Sequence, residues 1–414
     1  MRIAFLIWGC LACAAAASDD AWNRFRGPNG SGVSAAEGFP ATWSAKDYRW
    51  VIDLPGEGVS SPIVWGDRVF VTAADESTLE RALLCYAASD GKLRWSQAVP
   101  FTKDKKHKHN SYATNTPTAD ADRVYTLWQG REASQLLAYD HDGKPLWTCE
   151  VGPYASGHGG GISPVVVDGV VALNLNHEGD SCMLGVDAAT GRVKWRTPRA
   201  AVRATYSTPC VYTEAGGRKL LVFTCWRHGM TAVDPQTGEV AWELPDVFDP
   251  TDAEDKRAIG SPFVAGGLIY GNCGFVGGKK FVVAVRPPNS VGSQPELVFR
   301  LDRNTNHMPT GLVVGKRLFM WSDAGILVCA DAETGKTLWQ ERIGGKFSSS
   351  PVAVDGKVYC LSDDGEVIVV AAADTFTELG RVQLDEGTAA TTAVAGDALY
   401  FRTFGKLYAL AARR

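Results

Sequence analysis

The stretch Ala232-Val-Asp234-Pro-Gln-Thr237-Gly238-Glu-Val-Ala-Trp242 returns without gaps as Gly185-Val-Asp187-Ala-Ala-Thr190-Gly191-Arg-Val-Lys-Trp195 and as Cys329-Ala-Asp331-Ala-Glu-Thr334-Gly335-Lys-Thr-Leu-Trp339. Two weaker copies keep the turn and the tryptophan, one from Cys85 through Asp90-Gly91-Lys92 to Trp95, the other from Tyr139-Asp140 through Asp142-Gly143-Lys144 to Trp147. Each residue type has a physical task. Gly191, Gly238 and Gly335 accept positive φ at a turn without steric cost. The Asp side chain bonds backbone groups two residues on. The Trp fills a wide apolar wedge and offers its ring N–H to an acceptor.

A second element precedes each copy: a Ser/Thr-Pro pair, a strand, a Gly or Asp-Gly turn and another strand. It is seen at Ser61-Pro62, Thr116-Pro117, Ser163-Pro164, Thr208-Pro209, Ser261-Pro262 and Ser350-Pro351. Each unit therefore holds four short strands, two before the Asp turn, one ending at it, and one carrying the Trp. Four strands in a repeat of this length make a propeller blade. Trp50, Trp95, Trp147, Trp195, Trp242 and Trp339 are the expected blade-docking residues, with Phe299 substituting in the fifth unit and Leu379, near position 380, in the seventh.

The ends decide the count. Trp50 sits in a strand-like segment with no three strands before it, and 392–410 supplies three strands with no fourth. Joining them gives an all-β, eight-bladed propeller of four-stranded antiparallel blades, closed by pairing N- and C-terminal strands. Seven blades would require discarding one terminal piece. Closure leaves no long open sheet edge, and a monomer is expected.

Composition agrees with this reading. The chain has 414 residues, 44 of them Gly, 20 Pro and 13 Trp, which favours short strands and tight turns over helices. A net charge of −4 excludes a strong electrostatic pull toward nucleic acid. At the N-terminus, Arg2, the apolar run 3–14 and the small residues before Asp19 form a secretory pattern. The expected organisation is a signal peptide over 1–18, an extension over 19–47, and a single propeller over 48–414, in a protein exported to a periplasmic or extracellular space. The apolar run is too short for a comfortable membrane span. Ile7-Trp8-Gly9 is a poor context for lipidation of Cys10, with Cys13 the other candidate. The remaining eight cysteines are scattered singly and read as buried thiols. Only Cys210 and Cys225, flanking one turn, are placed to form a disulfide. None of the eight has the Cys-x-x-Cys spacing of a zinc site.

The motif matched in full at 232–242 resembles the tryptophan-docking repeat of pyrroloquinoline quinone (PQQ)-type propellers. The segment Trp22-x-x-Phe25-Arg26-Gly27-Pro28-Asn29-Gly30-x-Gly32-Val33-Ser34 adds to the likeness, as do Asn110-Ser111-Tyr112-Ala113, Tyr206-Ser207-Thr208-Pro209 and Ser322-Asp323-x-Gly325. On these residues the chain resembles the exported PQQ-binding-like repeat proteins, a group often named for similarity to the outer-membrane assembly factor BamB. The resemblance implies the fold and leaves function open. Quinone-dependent dehydrogenases sharing these repeats imply a calcium held by carboxylates and an amide, a catalytic Asp, a Trp stacked on the cofactor and often an adjacent Cys-Cys pair. This chain has no Cys-Cys dipeptide.

No catalytic motif is complete, and no catalytic or metal-binding residue is assigned. Gly157-His158-Gly159-Gly160-Gly161 lacks the Gly-Lys-Ser/Thr ending of a phosphate loop, and its glycines read as a close pass by the propeller axis. His107 and His109 sit among lysines that oppose a cation, as in a solvated loop. His177-Glu178-Gly179-Asp180 reads as an exposed turn. Residues preceding the Ser/Thr-Pro strands converge near the axis and form the candidate ligand surface: Asn110, Ser111 and Tyr112, His158, Arg203 and Tyr206, Arg257, Asn306 and His307. The leading expectation is a non-catalytic scaffold or binding module that meets a protein or a glycan through this face, with no cofactor. BamB-like envelope assembly is one form of it. The rivals are a PQQ- and Ca²⁺-dependent oxidoreductase of alcohols or sugars, and a carbohydrate-binding module.

Overall fold

The computed structural model describes residues 22–201, 203–249, 256–275, 277–289 and 293–413. The proposed leader, with Cys10 and Cys13, lies outside them. The strands form eight antiparallel four-stranded blades in a ring, one of them extended by a short parallel strand. Blade 1 spans 63–100, blade 2 118–150, blade 3 165–199, blade 4 210–244, blade 5 263–301, blade 6 312–342 and blade 7 352–383. Blade 8 takes Ala393–Ala395, Ala398–Arg402 and Lys406–Ala411 from the C-terminus and Tyr48–Asp53 from the N-terminus as its outer strand. Trp50 lies opposite Ala409 in that pair, so the two ends of the chain close the ring through main-chain hydrogen bonds. No helix among the described residues is long and apolar enough to cross a membrane.

Within blades 1 to 7 the strands run from the axis outward in chain order, and in blade 8 only the outer strand breaks that order. The innermost is short, as in Ile63–Trp65 and Val352–Val354. A proline stands before it in most blades, where an edge strand needs no N–H. The middle strands are buried on both faces, and their side chains form the cores between blades. Phe70, Leu83 and Cys85 of blade 1, for example, pack with Val124, Leu137 and Tyr139 of blade 2.

The Gly-turn residues place neighbouring blades in contact. The Asp187 carboxylate accepts hydrogen bonds from the Thr190 N–H (2.9 Å) and hydroxyl (2.7 Å), and Asp331 does the same with Thr334. Gly238, at φ +71°, lies under the indole of the preceding blade's Trp195, so close that a Cβ there would stand 2.6 Å from the ring. The Trp195 N–H donates to the Pro235 carbonyl at 2.9 Å. The same donation links Trp50 to Ala88, Trp95 to His141, Trp147 to Ala188 and Trp339 to Ala373. Phe299 covers Gly335 in the same way without the hydrogen bond.

Blade 7 departs from the sequence reading. In every blade the ladder slips by one residue beside the aromatic, with Trp195 opposite Gly185 on one side of the slip and Val193 opposite Val186 on the other. In blade 7 the residue at the Trp position is Gly380, opposite Val369, and Leu379 is the half-exposed bulge beside it. The substitute for the aromatic comes from elsewhere in the chain. A Cβ on Gly380 would stand 2.3 Å from Thr42, and Tyr359 donates to the Pro40 carbonyl. Trp43 stacks on Phe401 of blade 8, ring centres 5.4 Å apart. The missing bulk on blade 7 is supplied by the N-terminal segment.

The cysteines are buried thiols, as their scattered positions lead one to expect, and the one disulfide candidate is not formed. Cys210 lies opposite Val222 and Cys225 opposite Gly229, so the two are out of register across the hairpin and both are free. All eight described cysteines are buried free thiols.

Candidate functional site

Residues 22–34 run across the end of the axis and tie to the innermost strands of several blades. The Trp22 carbonyl accepts from Val64 N–H, and Asn23 exchanges hydrogen bonds with Ala119. Arg24 donates to the Pro209 carbonyl, and Asn29 pairs with both main-chain groups of Val211. Arg26 donates to the carbonyls of Thr310 (2.9 Å), Gly311 (2.7 Å) and Pro351. Val33–Ser34 then pairs in parallel with the inner strand of blade 7. Gly27 is required at the sharp bend: its φ is +65°, and a Cβ would stand 2.3 Å from the Trp22 ring. Arg24 and Arg26 are buried, and among the described residues neither has a carboxylate at ion-pair distance. Burial pulls their pKa values down to about 10 and about 9.

Directly beside this plug, one Ser or Thr from each blade forms a ring around the axis: Ser61, Thr116, Ser163, Thr208, Ser261, Thr310, Ser350 and Thr391, all buried. At every position except Thr208, the hydroxyl oxygen of one blade accepts the backbone N–H of the residue before it in the ring. Ser61 N–H donates to Thr116 (2.9 Å), Thr116 to Ser163 (3.1 Å), Thr208 to Ser261, Ser261 to Thr310 and Thr310 to Ser350 (2.9 Å each). Ser350 then donates to Thr391, and Thr391 back to Ser61, at 3.0 Å each. The Ser/Thr-Pro pairs reveal six of these residues in the sequence. Thr310 and Thr391 are followed by Gly and Thr, and that signal misses them.

The ring lines a cavity of about 230 Å³, with Phe25 of the plug at its base and loop residues around its mouth. Arg257 faces in from blade 5, its Nη1 3.1 Å from His158 Nε2, and Glu178 lies 3.9 Å from its other nitrogen. The His158 ring stacks on His107, which stacks on His109, with centres 5.6 and 5.4 Å apart. Burial, then the Arg257 charge, holds His158 below its ordinary pKa. His107 is lowered by burial first, then by His109. Asn110 donates to the His158 and Gly160 carbonyls and so pins the glycine-rich loop. Among the described residues, no carboxylate and no tryptophan lines the cavity. The nearby Asp363 points its carboxylate at the Ser348 N–H, and burial raises its pKa.

The residues expected at the axis divide. Asn110, His158, Tyr206 and Arg257 line the cavity. Ser111 and Tyr112 turn into clefts on the outer side of the same loop, where the Tyr112 hydroxyl donates to the Asp104 carbonyl at 2.7 Å. Arg203 does not line the cavity and acts on His158 through its charge alone. Asn306 and His307 are buried behind the wall, where Asn306 donates to the Pro309 carbonyl, while Met308 takes the lining position. His107 and His109 are exposed, as a solvated loop would have them, but both stand at the cavity mouth. The turn after His177 is exposed, yet His177 is buried against Tyr154.

Comparison with known proteins places the fold. A profile of the family described as outer membrane protein assembly factor BamB matches residues 41–100, 85–289 and 279–414. A polyvinylalcohol dehydrogenase from a Pseudomonas species is 22% identical over 409 residues, covering 87% of this chain and 56% of its own. The chain thus spans little more than half the length of that relative. Among solved structures, a europium-containing methanol dehydrogenase superposes with a TM-score of 0.71 at 12% identity, covering 94% of this chain and 91% of that one. BamB from Moraxella catarrhalis gives 0.63 at 15% identity, covering 87% and 98%. A quinohemoprotein alcohol dehydrogenase from Comamonas testosteroni gives 0.69 at 13%, covering 97% and 82%. At these identities the structural likeness speaks for the fold, and the profile match across nearly the whole described chain makes this protein a member of the BamB family of PQQ-like β-propellers.

Proposed function

We propose that this chain is an exported, non-catalytic binding propeller that receives its ligand or a partner's tip in the axial cavity. The observation that supports this most is the chemistry of the lining: hydroxyls, Arg257 and His158, with no carboxylate among them. A calcium-quinone centre needs hard oxygen ligands, chiefly carboxylates, and an Asp to accept the substrate proton. Among the described residues no group of three or more His, Cys, Asp or Glu is arranged to hold a metal. Arg257 and the two buried arginines of the plug also oppose a divalent cation by charge. The residues therefore do not fit calcium-bound PQQ, and no redox step is derived through it.

The competing reading, a quinone-dependent oxidoreductase, draws on the named activities of the polyvinylalcohol and methanol dehydrogenases. Dye reduction with purified protein, PQQ, Ca²⁺ and a panel of alcohols and sugars separates the two. The binding reading expects no turnover above the protein-free control. Sustained, protein-dependent turnover overturns it. A glycan array checks the carbohydrate-binding form of the same reading.

A further inference from the structure

We infer that the hydroxyl ring is an anion site, built to hold the carboxylate or phosphate group of a small organic ligand on the propeller axis; this rests on the binding reading above. Three observations point to it independently.

The first is donor arithmetic. A Ser or Thr hydroxyl has one proton to give and two lone pairs to accept with. In the ring, seven of the eight oxygens, all but Thr208, already accept a backbone N–H from the neighbouring blade. One of the two lone pairs on each of those seven oxygens is therefore used, while the protons of Ser61, Thr116, Ser163, Thr208, Ser261, Thr310, Ser350 and Thr391 reach no acceptor among the described residues. These side chains are more than nine-tenths buried, and all line the same cavity. A concave ring of free O–H donors calls for a species that only accepts, and an oxyanion is that species.

The second is charge. Arg26 reaches the carbonyl of Thr310, a ring member, and Arg24 the carbonyl of Pro209, next to Thr208. Both guanidiniums are buried with no carboxylate partner among the described residues, an arrangement that costs several kcal/mol per ion unless a counter-charge comes near. Arg257 adds a third cation in the wall, with its Nε buried and unpaired. An anion on the axis meets Arg257 directly, while Arg24 and Arg26, held on backbone carbonyls outside the lining, add positive charge from behind the ring.

The third is the apolar remainder of the lining. Phe25, Val59, Ile259 and Met308 suit a carbon skeleton attached to the anionic group, which a bare ion does not need.

The test is calorimetric titration with inorganic phosphate and with citrate at low ionic strength, on wild type, Thr208→Val and Arg257→Gln. Thr208 is chosen because no backbone N–H donates to its hydroxyl, so valine removes a donor at little cost to the ring. One saturable site is expected for at least one probe, weakened about tenfold or more in each variant, as for losing a charge-assisted hydrogen bond. Crystals soaked in selenate should show anomalous scattering on the axis. This arm decides the matter should Arg257→Gln fail to fold. Absence of saturable binding by both probes, or binding unchanged in Thr208→Val with selenate only at the surface, overturns the proposal. Turnover with quinone and calcium would refute the binding reading, whereas failure here alone leaves that reading standing.

Discussion

The contact between Trp195 and Gly238 offers a quantitative test of what joins the blades. Trp195 lies against the Gly238 backbone, donates to the Pro235 carbonyl at 2.9 Å, and is almost completely buried. Truncation to alanine should cost about 3–5 kcal/mol from lost burial and the cavity left behind. Phenylalanine keeps most of the ring and loses the hydrogen bond, so Trp195→Phe should cost only about 1–1.5 kcal/mol; the protein itself uses Phe299 over Gly335. Gly238→Ala has two parts. The positive φ costs about 1–2 kcal/mol, and a Cβ 2.6 Å from the indole forces the ring out of its seat. Once Trp195 is alanine the second part vanishes. The double variant should therefore be less destabilised than the sum of the singles by about 1 kcal/mol or more. Urea unfolding followed by far-UV circular dichroism, which does not depend on the removed indole, measures all four proteins. Additivity within about 0.5 kcal/mol, or a Trp195→Ala protein as stable as wild type, would refute the packing argument.

Other consequences are open to measurement. Burial, against the opposing pull of Asp323, brings His307 down from 6.5 to about 4. Between those values the unfolded chain binds more protons than the fold, so stability falls as pH drops through that window, by a few kcal/mol in all. His307→Gln should flatten that part of a stability–pH profile, and an unchanged slope would contradict the assignment. Arg26→Met removes the donor to carbonyls of blades 6 and 7 and should lower stability by about 3 kcal/mol or more, with protease cleavage appearing within 22–34. The eight thiols should be silent toward a thiol reagent until denaturant is added, and reduction should leave the intact mass unchanged. Burial pushes Cys210 and Cys329 up to about 12, far from the reactive thiolate.

The blade count was legible because the Gly turn and its Trp are local devices repeated in sequence, and because unmatched strands at the two ends complement each other. Blade 7 was misread for the complementary reason: Thr42 reaches Gly380 from more than three hundred residues away, and no local pattern announces such a contact. The site shows the same division. Asn110, His158, Tyr206 and Arg257 are legible in the sequence because they precede the inner strands. Phe25 belongs to a segment that reads as an appendage and folds as the base of the cavity. The hydroxyl ring is visible at six of its eight positions through the following prolines, but its hydrogen bonds run between different blades. Asn306 and His307 have the right position in the repeat, and their backbone turns them behind the wall.

We propose the axial cavity as an anion receptor and not a calcium-quinone centre. Calorimetric titration of PQQ into the protein, once with Ca²⁺ and once with EDTA, tests it most directly. An anion receptor gives the same heat with and without calcium, because among the described residues the lining supplies no carboxylate to hold the metal. Stoichiometric quinone binding that appears only with calcium would contradict it.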